Sequence, residues 1–234
     1  MFEPITHSGD PKIMGVNNGF SQLEVDIENI GDKTNYSRFQ SAFIQPDLDK
    51  IIDIQGKILN YNLDDLLGEL YEDAKVTDIM VFSPHLFGIK YIVSEEFVDC
   101  LLDLRVPNKE YKLIPIKLKN ISSTHYLLFI PWISEKEIFF SESLIYHSRD
   151  ITNENKQYLN IRNYEDYSQL LKSNELFYFD KVSIPDKYKD RSIISIQGLQ
   201  RVYLSDVLLN KLNENSISNL AKANAAELTF SACS

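Results

Sequence analysis

The chain has few of the residues that build disulfide frameworks and metal sites, with two cysteines and four histidines among 234 residues. Two cysteines cannot form a disulfide framework, and Cys100 occupies a core position of a predicted helix, where we expect a buried free thiol. His7, His85, His125 and His147 lie far apart and form no HExxH or other close ligand pair. The sequence therefore predicts no metal site, and only one assembled from distant residues stays open.

Glycine is also scarce, and the eight glycines are scattered along the chain. Neither GxGxxG nor GxxxxGK[ST] occurs, so no phosphate-cradling loop and no cofactor are predicted. A basic stripe and an RNP-like aromatic strand are both missing, which argues against nucleic-acid binding. By elimination, a binding protein is favoured over an enzyme.

Long apolar runs are absent. The longest, YLLFIPWI at 126–133, is eight residues, whereas a membrane-spanning helix needs about twenty. The N-terminal MFEPITHSGDPKIMG shows no basic stretch followed by an apolar one, so no secretion signal is predicted. We expect a soluble, cytoplasmic protein that does not bind membranes.

What the chain has in abundance is aromatic residues and acidic charge. Thirteen Tyr and thirteen Phe stand against one Trp, a β-leaning composition that predicts some surface tyrosines and hints at a binding face. The net charge is −10, and residues 61–104 hold ten Asp or Glu against two Lys. Such a block repels phosphates and anionic lipid and attracts a basic partner. The alternative is that the charges form solvated helix faces.

The sequence predicts an α+β fold: a single globular unit with a mixed or antiparallel sheet, a few packed helices and a small N-terminal β-rich lobe. Along the chain we predict a flexible lead at 1–11, the lobe at 12–60, the α+β core at 61–220 and a tail at 221–234. The lobe contains FSQLEVDIENI, which alternates like a half-buried strand, and the tail is expected to hold a strand around 228–230.

Within the core, NLDDLLGELYEDAK is predicted to be an amphipathic helix. Leu63, Leu66, Leu67 and Leu70 follow the i, i+3, i+4, i+7 spacing, and Asn62 is a suitable N-cap. A short helix is predicted at YEDYSQLLKS. Strands are predicted at YKLIPIKLKN, HYLLFIPW, SEKEIFFSES and ELFYFDKV, with HYLLFIPW apolar on both faces and therefore central.

Two stretches, YIVSEEFVDCLL and VYLSDVLLNKL, each run from a strand into a helix through one serine. Ser94 and Ser205 are followed by acidic residues, as a helix N-cap and its first turn require. A nucleophile elbow would need flanking glycines, and neither site has them. We interpret both serines as caps and assign no catalytic residue.

Six motifs, taken in order, resemble a known family. They are VTDIM at 76–80, IVSEEFVDCLL at 92–102, YKLIPIKLK at 111–119, HYLLFIPW at 125–132, ELFYFDKV at 175–182 and VYLSDVLLNKL at 202–212. This pattern resembles the myxobacterial-type immunity proteins, immunity family eleven of bacterial polymorphic toxin systems, over roughly residues 60–220. The resemblance implies a non-enzymatic protein that binds and blocks a cognate toxin, and it carries over no catalytic residue.

The first functional hypothesis is therefore an immunity protein that meets a toxin domain, such as a basic nuclease, through its acidic block. The residues expected to bind the partner are Asp64, Asp65, Glu69, Glu72 and Asp73 from one predicted helix and Glu95, Glu96 and Asp99 from the next. An enzyme with a distributed site is the second hypothesis, which a histidine meeting a carboxylate in a pocket would favour. A non-catalytic scaffold, such as a homodimer pairing through a strand edge, is the third.

Overall fold

Three mixed β-sheets and four α-helices make up the part of the chain that the structure describes. This computed structural model describes residues 1–16, 21–27, 43–44, 52, 55, 66–86, 88–147, 155–173, 175–199 and 201–232. The helices are α1 (Pro11–Met14), α2 (Glu95–Asp103), α3 (Tyr164–Lys172) and α4 (Asp206–Glu214). The predicted α+β class and single globular unit are confirmed.

The sixteen described strands are short. They are β1 (Phe2–His7), β2 (Leu23–Asp26), β3 (Leu67–Leu70), β4 (Ile79–Met80), β5 (Phe82–Ser83), β6 (Ile89–Ser94), β7 (Lys112–Leu118), β8 (His125–Phe129), β9 (Trp132–Ile133), β10 (Leu144–His147), β11 (Gln157–Leu159), β12 (Phe177–Pro185), β13 (Ile193–Ile196), β14 (Val202–Ser205), β15 (Leu220–Lys222) and β16 (Glu227–Ser231). The strand orders are β15-β1-β14-β13-β9, β11-β10-β12-β16 and β4-β6-β8-β7-β3-β2-β5.

The five-stranded sheet is covered on both faces. Because side chains alternate along a strand, Ile193 on β13 enters the core shared with α2, α4 and the seven-stranded sheet, whereas Ile194 enters the core shared with the four-stranded sheet and α3. The seven-stranded sheet alternates in the same way at β8, where Leu127 and Leu128 point into different cores. The predicted central strand HYLLFIPW is apolar on both faces for this reason.

The two strand-to-helix stretches have the same local arrangement. Strand β6 lies between β4 and β8, strand β14 lies between β1 and β13, and all four pairings are antiparallel. The Ser94 Oγ accepts the Phe97 N–H at 3.2 Å, and the Ser205 Oγ accepts the Leu208 N–H at 3.3 Å. Both predicted N-caps are confirmed, and helices α2 and α4 pack into one core.

Several other predicted elements are confirmed. Strands β7, β8 and β12 and helix α3 occur where YKLIPIKLKN, HYLLFIPW, ELFYFDKV and YEDYSQLLKS predict them, and β16 contains the strand expected in the tail. Cys100 is a free thiol, buried in the core of α2. Strand β2 lies in the predicted lobe, but it pairs with β3 and β5 and so belongs to the large sheet.

The predicted helix at NLDDLLGELYEDAK is wrong where the structure describes it, because Leu67–Leu70 is strand β3. Asn62, Leu63, Asp64 and Asp65 lie outside the described residues. A Cβ at Gly68 would come within 2.8 Å of Leu23 and 2.9 Å of Leu118. Glycine thus lets β3 lie between β2 and β7, and a glycine inside a helix is unfavourable.

Two further predictions are corrected. Residues 1–11 are not a flexible lead: β1 is hydrogen-bonded to β14 on one side and β15 on the other, and Ile5 is buried. Pro4 makes this strand hard to predict, because proline is not expected within a strand that is paired on both sides. SEKEIFFSES forms two 3-10 turns at Glu135–Glu137 and Phe140–Glu142 instead of a strand.

The two caps provide a matched stability test. Both serine side chains accept a helix amide, but only the Ser94 hydroxyl also donates to a carboxylate, that of Asp78, at 2.7 Å. We expect Ser205→Ala to lower the free energy of unfolding by about 1 kcal/mol and Ser94→Ala by about 2 kcal/mol, because a hydrogen bond to a charged group is lost as well. Urea unfolding of both variants measures the difference, and equal losses would contradict the additional role of Ser94.

Candidate functional site

The first residue cluster of interest surrounds Asp78, the acidic residue of VTDIM. Its carboxylate accepts the Ser94 hydroxyl at 2.7 Å, the Ser218 N–H at 2.7 Å and the Ser218 hydroxyl at 2.6 Å. The Asp78 N–H donates in return to the Ser218 Oγ at 2.8 Å. One half-buried carboxylate thus connects the first turn of α2 with the segment that follows α4.

Two buried amides extend this network. The Gln22 Nε2 donates to the Lys75 carbonyl at 2.8 Å and to the Thr77 hydroxyl at 3.0 Å, and the Gln22 Oε1 accepts from the Asn219 Nδ2 at 3.1 Å. The Asn219 Oδ1 accepts the Ser8 hydroxyl at 2.7 Å. Gln22 and Asn219 are almost fully buried, so these bonds satisfy polar groups that would otherwise be costly to bury. We call the set formed by Ser8, Gln22, Thr77, Asp78, Ser94, Ser218 and Asn219 the polar network.

The polar network has a structural role and not a catalytic one. Burial alone would raise the pKa of Asp78, but the hydrogen bonds from Ser218 and Ser94 outweigh it and hold the pKa below its usual value. A carboxylate that is ionised and fully hydrogen-bonded is a poor proton acceptor. Asp78 is therefore an anchor between segments.

This shift predicts a pH dependence of stability. Because the pKa of Asp78 is lower in the folded chain than in the unfolded one, its contribution is present above the unfolded value and is lost as the pH falls below about 4. We expect Asp78→Asn to destabilise the protein most at neutral pH, and the gap between wild type and variant to narrow in acid. Urea unfolding across pH 3 to 7 measures the gap, and a gap that does not change with pH would refute the role of the charge.

The second cluster is the exposed face of α2. Glu95, Glu96 and Asp99 are exposed and form no ion pair with any residue in the described ranges. Leu102, three residues after Asp99, is 59% exposed, which places an apolar side chain beside these carboxylates on the helix surface. Asp103 at the end of α2 forms an ion pair with Lys211 of α4 at 2.7 Å. We call Glu95, Glu96, Asp99 and Leu102 the α2 face.

The other predicted partner-binding residues that the structure describes, Glu69, Glu72 and Asp73, lie outside helices. Glu69 is on β3, which is separated from β6 by the two strands β8 and β7, and it forms an ion pair with Lys119 at 2.8 Å. Glu72 and Asp73 are exposed in the turn that follows β3, and Asp73 has a positive φ of 66°. Asp64 and Asp65 lie outside the described residues. Among the six described members of the predicted set, Glu95, Glu96 and Asp99 are the ones that lie together on one helix.

A tyrosine cluster lies on the four-stranded sheet. The ring of Tyr146 on β10 lies 6.0 Å from that of Tyr158 and 5.8 Å from that of Tyr178, on the flanking strands. Tyr158 is 54% and Tyr178 is 43% exposed. The expectation that some tyrosines lie on the surface is met here. The Tyr158 hydroxyl donates to Asp180 at 2.7 Å, and Lys156 bonds the same carboxylate, so the cluster is held in place from within the sheet.

The four histidines all lie in the ranges that the structure describes. Within the described ranges no group of three or more His, Cys, Asp or Glu is placed to hold a metal ion. His125 is buried at the start of β8, at a strand end. His147, at the end of β10, and Glu175 contact each other at 3.0 Å, and the Glu175 side chain is 60% exposed. The enzyme hypothesis, which requires a histidine and a carboxylate together in a pocket, stays a hypothesis.

Comparison with family models and with curated proteins finds no match for this chain. The resemblance to the immunity family accordingly rests on the six motifs and remains a prediction. No helix in the described part of the chain is long and apolar enough to cross a membrane.

Sequence reasoning identified Asp78 only as part of a motif, and it did not identify Gln22, Ser218 or Asn219. The available signal was the type of residue: buried glutamine and asparagine need partners, but sequence spacing does not reveal which ones. The bonds of the polar network span up to 211 positions. No local pattern could have paired these residues.

Proposed function

We propose that this chain is an immunity protein, which binds a cognate bacterial toxin domain in the cytoplasm and neutralises it. The observation that carries the proposal is the α2 face: three exposed carboxylates without ion-pair partners in the described ranges, beside an exposed leucine. An apolar residue with surrounding charge is a common arrangement in protein interfaces, where the charges steer the partner.

The positions of the motif residues support the proposal. Asp78, Ser94 and Ser205, which lie in the motifs that resemble those of the family, are used for caps and for the polar network. Because these residues stabilise the scaffold, recognition falls to surface positions, and immunity proteins for different toxins can differ there without loss of the fold. The α2 face starts directly after a capped position, on a rigid helix packed against the core, and such a surface loses little entropy on binding.

Charge favours a basic target. The chain carries a net charge of −10, and residues 61–104 account for most of it. A nuclease that binds phosphate with a cationic active site has the complementary charge, and an acidic inhibitor can occupy that site. The structural alternative is that Glu95 and Glu96 only stabilise the N-terminus of α2, which they do in any case.

The test is association with the toxin domain encoded beside this gene. Neutralising the α2 face with Glu95→Gln, Glu96→Gln and Asp99→Asn together is expected to slow association by about tenfold at low salt and to flatten its dependence on ionic strength, because steering is electrostatic. Stopped-flow measurements over a salt series give both quantities.

A matched control separates local recognition from overall charge. Glu165→Gln, Asp190→Asn and Glu227→Gln together change the net charge equally at exposed positions on other elements. This control is expected to keep most of the wild-type rate. If the α2 variant keeps the wild-type rate and salt slope, or if the control loses as much, the α2 face is a solubility surface and not the interface.

The tyrosine cluster supports a second candidate, a scaffold that binds through the four-stranded sheet. Tyrosines are frequent at the energetic centres of interfaces, and two of these rings are largely exposed. Under the scaffold hypothesis, the double variant Tyr158→Ala with Tyr178→Ala would no longer bind the partner of the four-stranded sheet. Under our proposal this double variant binds the toxin domain with near wild-type affinity.

A further inference from the structure

A cavity with basic walls lies at the junction of two sheets, away from the α2 face. Its volume is about 330 Å³, and its polar lining is contributed by the end of β1, the segment after β5, strand β6 and the residue before β14. The polar lining residues are Thr6, His7, His85, Lys90, Tyr91 and Arg201. Pockets that bind small molecules begin at about this size.

The charge of this cavity is opposite to that of the chain. Lys90 and Arg201 are cations, two histidines stand beside them, and none of the described lining residues is Asp or Glu. The whole chain nevertheless has a net charge of −10. Since the described lining offers Lys90 and Arg201 no counter-charge, the two cations repel each other there, and an anion bound between them would relieve this repulsion.

The unfavourable burial of a cation is clearest at Lys90. Its side chain is half-buried on β6 and makes no hydrogen bond or ion pair with any described residue. Burial and, to a smaller extent, the nearby Arg201 lower the pKa of Lys90. A lysine that served only stability would be paired or would extend into water.

Arg201 is held in place by a neighbour. Its Nη1 donates to the Thr6 hydroxyl at 3.2 Å, which uses one of the five N–H donors of the guanidinium. The remaining donors keep the planar geometry that recognises phosphate or carboxylate oxygens in pairs. Thr6 belongs to β1, so the guanidinium is positioned by a strand hydrogen-bonded on both sides.

We propose that this cavity is a binding site for a small phosphate monoester, with Lys90 and Arg201 contacting the phosphate oxygens. Two cations match the double negative charge of a phosphate monoester better than a single carboxylate, and the volume accommodates a compact organic group beside the phosphate. The site is independent of the proposed partner interface, because it uses no residue of the α2 face.

The test uses calorimetric titration and thermal unfolding with inorganic phosphate and ribose 5-phosphate as probes, and acetate as the carboxylate control. We expect both phosphate probes to bind and to raise the melting temperature, and acetate to bind at least roughly tenfold more weakly. Similar affinities for the two phosphate probes would assign recognition to the oxyanion alone, whereas tighter binding of the ester would add a contribution from the sugar. Both results support the site.

The variants are Lys90→Met, which keeps the length of the side chain, and Arg201→Gln. Each is expected to weaken binding of ribose 5-phosphate by at least roughly tenfold. Lys172→Met removes the same charge from an exposed position on α3 and is expected to leave binding unchanged.

Thermal unfolding without ligand separates a ligand site from a structural role. Because Lys90 is an unpaired, half-buried cation, Lys90→Met is expected to melt at or above the wild-type temperature while failing to bind. Absence of binding by wild type to either phosphate probe would overturn the proposal. Unchanged affinity in Lys90→Met, or acetate binding as tightly as phosphate, would overturn it as well.

Discussion

The fold depends on a carboxylate that connects distant parts of the chain. Asp78 accepts hydrogen bonds from Ser94 at the start of α2 and from Ser218 after α4, and the amides of Gln22 and Asn219 continue the connection to Ser8 near the N-terminus. A buried polar group without a partner is costly, so these bonds are satisfied together only when all the segments are in their native places. The polar network thus selects one arrangement of segments that hydrophobic burial alone would leave less defined.

The sheets add the bulk of the stability around this anchor. Each large sheet sends alternate side chains into two cores, and the five-stranded sheet stands between the seven-stranded and four-stranded sheets with their helices. The residues that stabilise the fold are therefore separate from those that we propose to bind other molecules. Interior positions and caps hold the scaffold, while Glu95, Glu96, Asp99 and Lys90 carry charges that form no ion pair with any residue the structure describes.

Elements with a complete local signal could be predicted from the sequence. Helices α2 and α4 combine a serine cap, acidic first-turn residues and an apolar face within one stretch, and β8 is apolar on both faces because its alternate side chains enter two different cores. Strand β3 was mistaken for a helix because its leucines also fit a helical spacing. The chain is extended there because β3 pairs with β2 and β7, and the close approach of Leu23 and Leu118 leaves no room for a Cβ at Gly68.

The sequence does not reveal strand β1, because Pro4 and three polar residues hide its alternation and its pairing partners lie about two hundred residues away in sequence. The candidate functional residues could likewise be predicted only in part. The acidic block was visible as charge, but its division between β3, a turn and α2 was not. The basic cavity gave no sequence signal, because Thr6, Lys90 and Arg201 meet only through pairing of β1 with β14 and packing of the sheets.

The central claim is that this chain neutralises a toxin by binding it. The most direct measurement is growth of cells that express the toxin domain which the proposal expects to be encoded beside this gene, with and without this chain, together with recovery of a complex from those cells. The account predicts that the chain restores growth and co-purifies with the toxin domain. Cells that stop growing despite soluble expression of the chain, with no complex recovered, would contradict it.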